Sequence, residues 1–79
     1  MKIRLRLFGT LGNKFSEHDP IHGFEVEIPD GATIGDLMKK LDIFTSKIGI
    51  ISIDGRLVAT TEKLENGNFV RMYHPLSGG

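Results

Sequence analysis

Residues 29–41 read Pro-Asp-Gly-Ala-Thr-Ile-Gly-Asp-Leu-Met-Lys-Lys-Leu, and they decide the fold. Pro29-Asp30-Gly31 turns the chain, because proline presets φ and glycine accepts positive φ without a steric cost. Thr33 then stands as a helix N-cap, and Asp36 three residues on completes a variant of the capping box. A carboxylate at that position also sits near the positive end of the helix dipole. Ile34, Leu37, Met38 and Leu41 recur at i, i+3, i+4 and i+7, which makes one apolar helix face. Lys39 and Lys40 fall outward in the last turn, where the dipole favours cations. One short amphipathic helix is predicted here.

On both sides of it the period changes from helical to two. Upstream, Phe24, Val26 and Ile28 alternate with Glu25 and Glu27. At the start, Ile3, Leu5 and Leu7 alternate with Lys2, Arg4, Arg6 and Phe8, so residues 2–8 and 24–28 read as strands with one buried face. Their spacing suggests an antiparallel hairpin with a long tip. That tip, residues 9–23, is rich in Gly, Asn, Ser, Asp and Pro and reads as an irregular connection with one turn near Lys14–Phe15. Downstream, Ile48–Ile53 is short and β-branched, hence a buried strand. Asp54-Gly55 is a strong hairpin signal, with Arg56–Ala59 as the return strand. Thr60–Glu65 is a connection with one anchor, Leu64. Asn66-Gly67 turns the chain into a last strand, Phe69–His74, with Val70 and Met72 on one face and Phe69, Arg71 and Tyr73 on the other. Pro75 ends that strand.

The order is thus strand, strand, helix, three strands: an α+β chain. One helix must cover one face of a mixed sheet of about five strands, because no other element is available to bury their apolar sides. The link through the helix permits a right-handed crossover. That arrangement is a β-grasp, the ubiquitin-like architecture. Its expected core is Leu5, Leu7, Val26, Ile28, Leu37, Met38, Leu41, Ile51, Ile53, Leu64 and Val70. With 79 residues there is room for one domain, and a chain of that size buries about 60% of its unfolded surface. The expected division is residues 1–76 as the β-grasp domain and residues 77–79 as a flexible Gly-Gly tail.

Composition excludes several function classes. Lys plus Arg number 10 and Asp plus Glu number 10, a balance that argues against a nucleic-acid or anionic-membrane surface. Lys2, Arg4 and Arg6 alternate as on any solvated sheet face. Cysteine is absent, which removes a disulfide scaffold, a thiol nucleophile and thiolate metal sites. His18 and His22 are four apart, but Pro20 between them prevents a helix from presenting them together, so both read as solvated loop residues and no metal is expected. Gly9-Thr10-Leu11-Gly12 follows a strand but lacks the Gly-Lys-Ser/Thr ending of a phosphate loop, and reads as a turn. The longest apolar stretch, Ile48–Ile53, is too short to cross a bilayer and contains Gly49 and Ser52. The N-terminus has no signal-peptide core, so a cytoplasmic location is expected. No Ser-His-Asp triad, paired-carboxylate site or nucleotide pocket is visible. The chain reads as a substrate of enzymes rather than an enzyme.

Beyond these patterns, the sequence resembles the ThiS/MoaD family of ubiquitin-like sulfur carriers. The marks are the opening Lys2-Ile3-Arg4-Leu5-Arg6-Leu7-Phe8-Gly9 and the segment Ile28-Pro29-Asp30-Gly31-Ala32-Thr33-Ile34. They continue in Ile53-Asp54-Gly55-Arg56-Leu57-Val58, in Leu64-Glu65-Asn66-Gly67-Asn68-Phe69-Val70 and in Pro75-Leu76-Ser77-Gly78-Gly79. Asn66, Asn68 and Phe69 replace residues that are usually acidic in the family, and His74 stands where proline is common. The resemblance implies that a ubiquitin-activating-type enzyme uses ATP to convert the Gly79 carboxylate to an acyl-adenylate. Sulfur then replaces AMP, and the resulting thiocarboxylate donates sulfur to molybdopterin or thiamin biosynthesis. The implied partners are that adenylating enzyme and a sulfur-acceptor synthase subunit; in the molybdopterin case the chain would be the small subunit of a molybdopterin synthase-like complex. No bound cofactor is expected; ATP belongs to the partner.

The residues suit that chemistry. Gly78 and Gly79 let backbone enter a narrow site where any side chain would collide. Terminal glycines also occur in frayed tails, but the strand-turn-strand pattern ahead of these favours function. Arg4, Arg6, Ile50, Arg71 and Tyr73 are expected on the open sheet face, as a docking surface continuous with Pro75, Leu76 and Ser77. Two alternatives are a ubiquitin-like protein modifier conjugated to lysines through Gly79, and a non-catalytic β-grasp interaction module.

Overall fold

The structure, a computed structural model, describes residues 1–75. The expected tail, and with it Leu76, Ser77, Gly78 and Gly79 as site residues, lies outside the described residues.

Alternation along β1 (Lys2–Leu7) drives Ile3, Leu5 and Leu7 to one side, where all three are buried. Antiparallel β2 (Phe24–Glu27) pairs with it from Lys2↔Glu27 to Leu5↔Phe24 and buries Phe24 and Val26 on the same side. After the turn comes α1 (Ile34–Leu41). Next is a hairpin of β3 (Ile50–Ile53) and β4 (Arg56–Val58), and finally β5 (Phe69–Tyr73). β5 inserts between β1 and β3, parallel to the first and antiparallel to the second. The sheet order is β2-β1-β5-β3-β4. It is the mixed five-stranded sheet on one helix that the hydrophobic periods require.

The helix begins where expected. Thr33 Oγ1 accepts the Asp36 N–H at 3.1 Å, and Asp36 Oδ2 accepts the Thr33 N–H at 2.9 Å. Two further amides of the first turn, on Ile34 and Gly35, donate to the carbonyls of Glu62 and Thr60 at 2.9 and 2.8 Å. The connection after β4 therefore caps the helix, so the N–H groups that a helix start leaves unpaired are satisfied. At the other end Asp42 takes the left-handed conformation, φ 58°, and its N–H bonds back to Met38 and Lys39.

Ile34, Leu37 and Met38 of α1 join the inward side chains of all strands but β4 in one core, with Ala32, Ile28 and Leu64. Ten of the eleven expected core residues are buried. Leu41 is the exception: the helix ends at that residue, which leaves it half-buried at the margin. Ile3, Phe24, Ala32, Ile34 and Met72 are core residues that the expected set left out.

Element ends are tighter than the periodicity suggests. β1 stops at Leu7 instead of Phe8, although Phe8 keeps the outward phase and stacks on Tyr73. A 3-10 helix, Gly9–Lys14, occupies the segment expected to be irregular. β3 starts at Ile50 because Thr45–Lys47 forms another 3-10 turn. β4 ends at Val58 instead of Ala59, and β5 at Tyr73 instead of His74. Asp54 and Gly55 both take positive φ, 49° and 86°, the mirror-image turn that suits strand twist.

Candidate functional site

The strands that bury Leu5, Val70 and Ile51 necessarily turn their alternate residues to the opposite face. Register then decides what meets there. Arg6 lies beside Arg71 across the β1–β5 pair, and Ile50 lies beside Tyr73 across the β3–β5 pair. Arg4 lies beside Phe69. All five residues expected on the open face are therefore brought onto it, in three neighbouring strands.

Aromatic rings organise this surface. Phe8 stacks on Tyr73 with ring centroids 4.2 Å apart. The Arg6 guanidinium lies 4.2 Å above Phe8, and the Arg71 guanidinium 4.1 Å above Phe69. A guanidinium plane laid on an aromatic face holds charge against apolar surface without burying it. Ile50, Leu57, Arg71 and Tyr73 rim a surface depression of about 360 Å³, with Ser52 and Gly55 also lining it. Leu57 is 72% exposed there.

Leu57, Phe8 and Phe69 join this surface beyond the five residues expected to dock. Phe8 and Phe69 carried the outward phase and were recoverable from it. Leu57 was recoverable too, because the two-residue Asp54-Gly55 turn pairs it with outward-phase Ser52. The two β1 arginines are also committed locally. Arg6 Nε donates to the Pro20 carbonyl at 3.0 Å, and Arg4 donates to the His22 carbonyl at 3.3 Å, so both hold the long β1–β2 connection.

The loop histidines separate in role. His22 is exposed and pairs with Asp19 at 3.6 Å. Asp19 Oδ1 accepts the N–H groups of His22 and Ile21, and these bonds, that of His22 first, hold its carboxyl below the usual range. His18 is not the solvated residue its loop position suggested: it is half-buried, edge-on to Phe24, and its Nε2 accepts the Leu7 N–H at 2.9 Å. Among the described residues, no cluster of three or more His, Asp or Glu side chains has metal-holding geometry. No helix among them is long and apolar enough to cross a membrane.

The chain leaves β5 through a narrow passage. The Gly49 N–H donates to the Tyr73 carbonyl at 2.8 Å, and a Cβ at Gly49 would stand 2.5 Å from Pro75 Cα. Only glycine permits that approach. Pro75 is thus pressed against the residue that precedes β3, beside the Ile50–Tyr73 pair.

No family model matches the sequence, and no curated protein matches it significantly. Solved structures do match. A Pyrococcus furiosus protein described as molybdopterin converting factor, subunit 1, is 21% identical and superposes with a TM-score of 0.71 over 96% of this chain and 99% of that one. Small archaeal modifier protein 1 of Haloferax volcanii is 19% identical, with a TM-score of 0.70 over 95% of this chain and 98% of that one. The Haloferax volcanii HVO 2177 protein, known from its solution structure, is 21% identical, with a TM-score of 0.77 over all of this chain and 87% of that one. The chain therefore has the β-grasp, ubiquitin-like fold, and its resemblance to ThiS/MoaD-type proteins holds at the level of the fold.

Proposed function

We propose that this chain is a ubiquitin-like sulfur carrier whose Gly79 carboxylate is activated by a partner enzyme. One observation carries the reading. The central strand, β5, runs out past Gly49 into Pro75 at the rim of an aromatic and arginine-lined face, and the residues that follow are Leu76-Ser77-Gly78-Gly79. A partner that covers this face has Pro75, four residues before Gly79, at its edge. The fold shared with a protein described as a molybdopterin converting factor subunit supports the same reading.

A carboxylate is a poor electrophile. In the proposed reaction a Gly79 carboxylate oxygen attacks the α-phosphate of ATP and pyrophosphate leaves; hydrosulfide from the sulfur donor then attacks the acyl carbon and expels AMP, which leaves the thiocarboxylate. This chain supplies the carboxylate, its delivery and the docking face; the partner supplies the catalytic groups. Molybdopterin and thiamin assembly both consume such sulfur, and a synthase subunit is then the second partner. Charges on the docking face act mainly on encounter, while Tyr73 and Ile50 act on residence time.

The test uses the full chain with an adenylating enzyme of the ubiquitin-activating type, ATP and a sulfur donor. Intact mass should rise by the difference between sulfur and oxygen. Removing Gly79, or extending the chain beyond it with a tag, should abolish that gain and leave thermal unfolding unchanged. A tagged protein that forms adenylate and thiocarboxylate at the ordinary rate would falsify the reading. The fold shared with a small archaeal modifier protein favours a second reading, conjugation to lysines. Higher-mass conjugates that survive denaturing electrophoresis would establish it.

A further inference from the structure

Two imidazoles close on the two ends of one short segment. β2 runs opposite β1 only as far as Leu5↔Phe24. The Arg4 and Phe8 N–H groups donate to the carbonyls of Asn68, just before β5, and Met72, within it, so the intervening Leu7 N–H faces the β2 edge, two residues past the point where that strand's pairing stops. His18 Nε2 fills the gap, accepting this N–H at 2.9 Å. Three residues on, at the start of the Gly9–Lys14 helix, Thr10 donates its N–H to His74 Nε2 at 3.1 Å, and its hydroxyl lies 3.3 Å from the same atom. The histidine rings also pack on small residues: a Cβ at Gly12 would stand 2.6 Å from the His18 ring, and one at Gly9 2.5 Å from that of His74.

Both bonds use Nε2 as an acceptor. A neutral imidazole has one acceptor nitrogen, and an imidazolium has none. Each contact therefore exists only on the neutral ring with its proton on Nδ1. We infer that His18 and His74 form a proton-operated latch on the segment that joins β1 to the first 3-10 helix. Protonation converts both catches from acceptors to donors facing N–H groups, and the segment is released together with the exit of β5.

No countercharge would hold the latch shut. Among the described residues, neither ring has a carboxylate within ion-pair distance. Around them, Arg6 of β1 is spread over Phe8 and bonded to Pro20, and Lys14 of the 3-10 helix donates to the Asp42 carbonyl. In the long loop Glu17 accepts from Ser16 and Asp19 pairs with His22; on β5 the charged residue is Arg71, over Phe69. Arg6 lines the same depression as His18 and supplies no acceptor. Histidine titrates in the range of about pH 5 to 8, where such a device responds to modest acidification.

The experiment is NMR on the full chain. Near neutral pH the ring ¹⁵N shifts should identify both Nε2 atoms as unprotonated. Between about pH 7.5 and about pH 5.5, amide-exchange protection at Leu7 and Thr10 should fall by about tenfold or more, while Leu5 and Val70 keep theirs. His18→Gln with His74→Gln supplies amide oxygens that accept at any pH, and should make protection at both sites independent of pH. His22→Gln should leave the wild-type response intact. Nε2–H tautomers, protection unchanged with pH, or a fall that persists in the double glutamine variant would each overturn the latch. If the double variant does not fold, the tautomers and exchange of the unaltered chain decide.

Discussion

Asp36 shows how one side chain can set a boundary. Its carboxylate accepts the Thr33 N–H, and that bond first, with the Thr33 hydroxyl second, holds its pKa below the ordinary aspartate value. The folded pKa lies below the unfolded one, so the contribution is present above the unfolded value and lost as pH falls through the folded one. The stability difference between wild type and Asp36→Asn should therefore be constant near neutral pH and shrink below about pH 4. Denaturant titrations across that range check it; a difference that ignores pH would remove the carboxylate from the cap. Leu37 acts at the same scale through packing. It is fully buried in the middle of the helix face. Leu37→Ala should cost about 2–5 kcal/mol, much of the stability of a domain this small. A loss well under about 1 kcal/mol would mean that the cavity collapses freely.

Elements here are held by one another's loops. Asp54, in the β3–β4 turn, accepts the Phe69 N–H at 3.0 Å and the Asn68 side-chain N–H at 2.9 Å. Asn68 Oδ1 in turn accepts the Glu65 N–H, and Asn66 Oδ1 the Lys2 N–H. The two asparagines that stand where acidic residues are usual thus tie the start of β5 to β1 and to the hairpin. An amide donates and accepts at once, which a carboxylate cannot do. Asp54→Ala should cost about 1–3 kcal/mol by leaving the Phe69 amide without its charged acceptor. Asn68→Asp should also destabilise, because it sets a second carboxylate against Asp54. Denaturant midpoints of the two single variants and the double variant measure the coupling. Additive effects would show that the two residues act apart.

At the scale of the molecule, inserting β5 at the centre separates two tasks. Its inward residues, Val70 and Met72, are fully buried under the helix, while its outward residues build the candidate docking face. Stability and recognition can therefore be altered independently. Tyr73→Ala removes the ring on which Phe8 stacks and half of the Ile50 pair. If the proposed activating enzyme docks here, the variant should raise its dissociation rate about tenfold or more, with a smaller effect on association. Arg71→Ala should chiefly slow association and reduce its salt sensitivity. Surface plasmon resonance at two ionic strengths separates the rates. Unchanged kinetics in both variants would place the partner on the helix side.

Local chemistry alone determined the helix with its capping box, the alternating strands, the Asp54-Gly55 turn and two-thirds of the core. Each of these depends on a period or a cap that a few neighbouring residues define, and burial of one apolar face then leaves little choice of layer. The open-face residues were legible for the same reason, as the outward phase of strands whose inward phase is apolar. What tertiary structure decided is what depends on partners distant in sequence. The carbonyls of Thr60 and Glu62 finish the helix cap. Arg4 and Arg6 turn to the Pro20–His22 loop, and His18 moves from a loop into the gap beyond β2. No periodicity encodes those contacts, because a hydrogen bond across the chain is selected by geometry that exists only after the sheet has assembled.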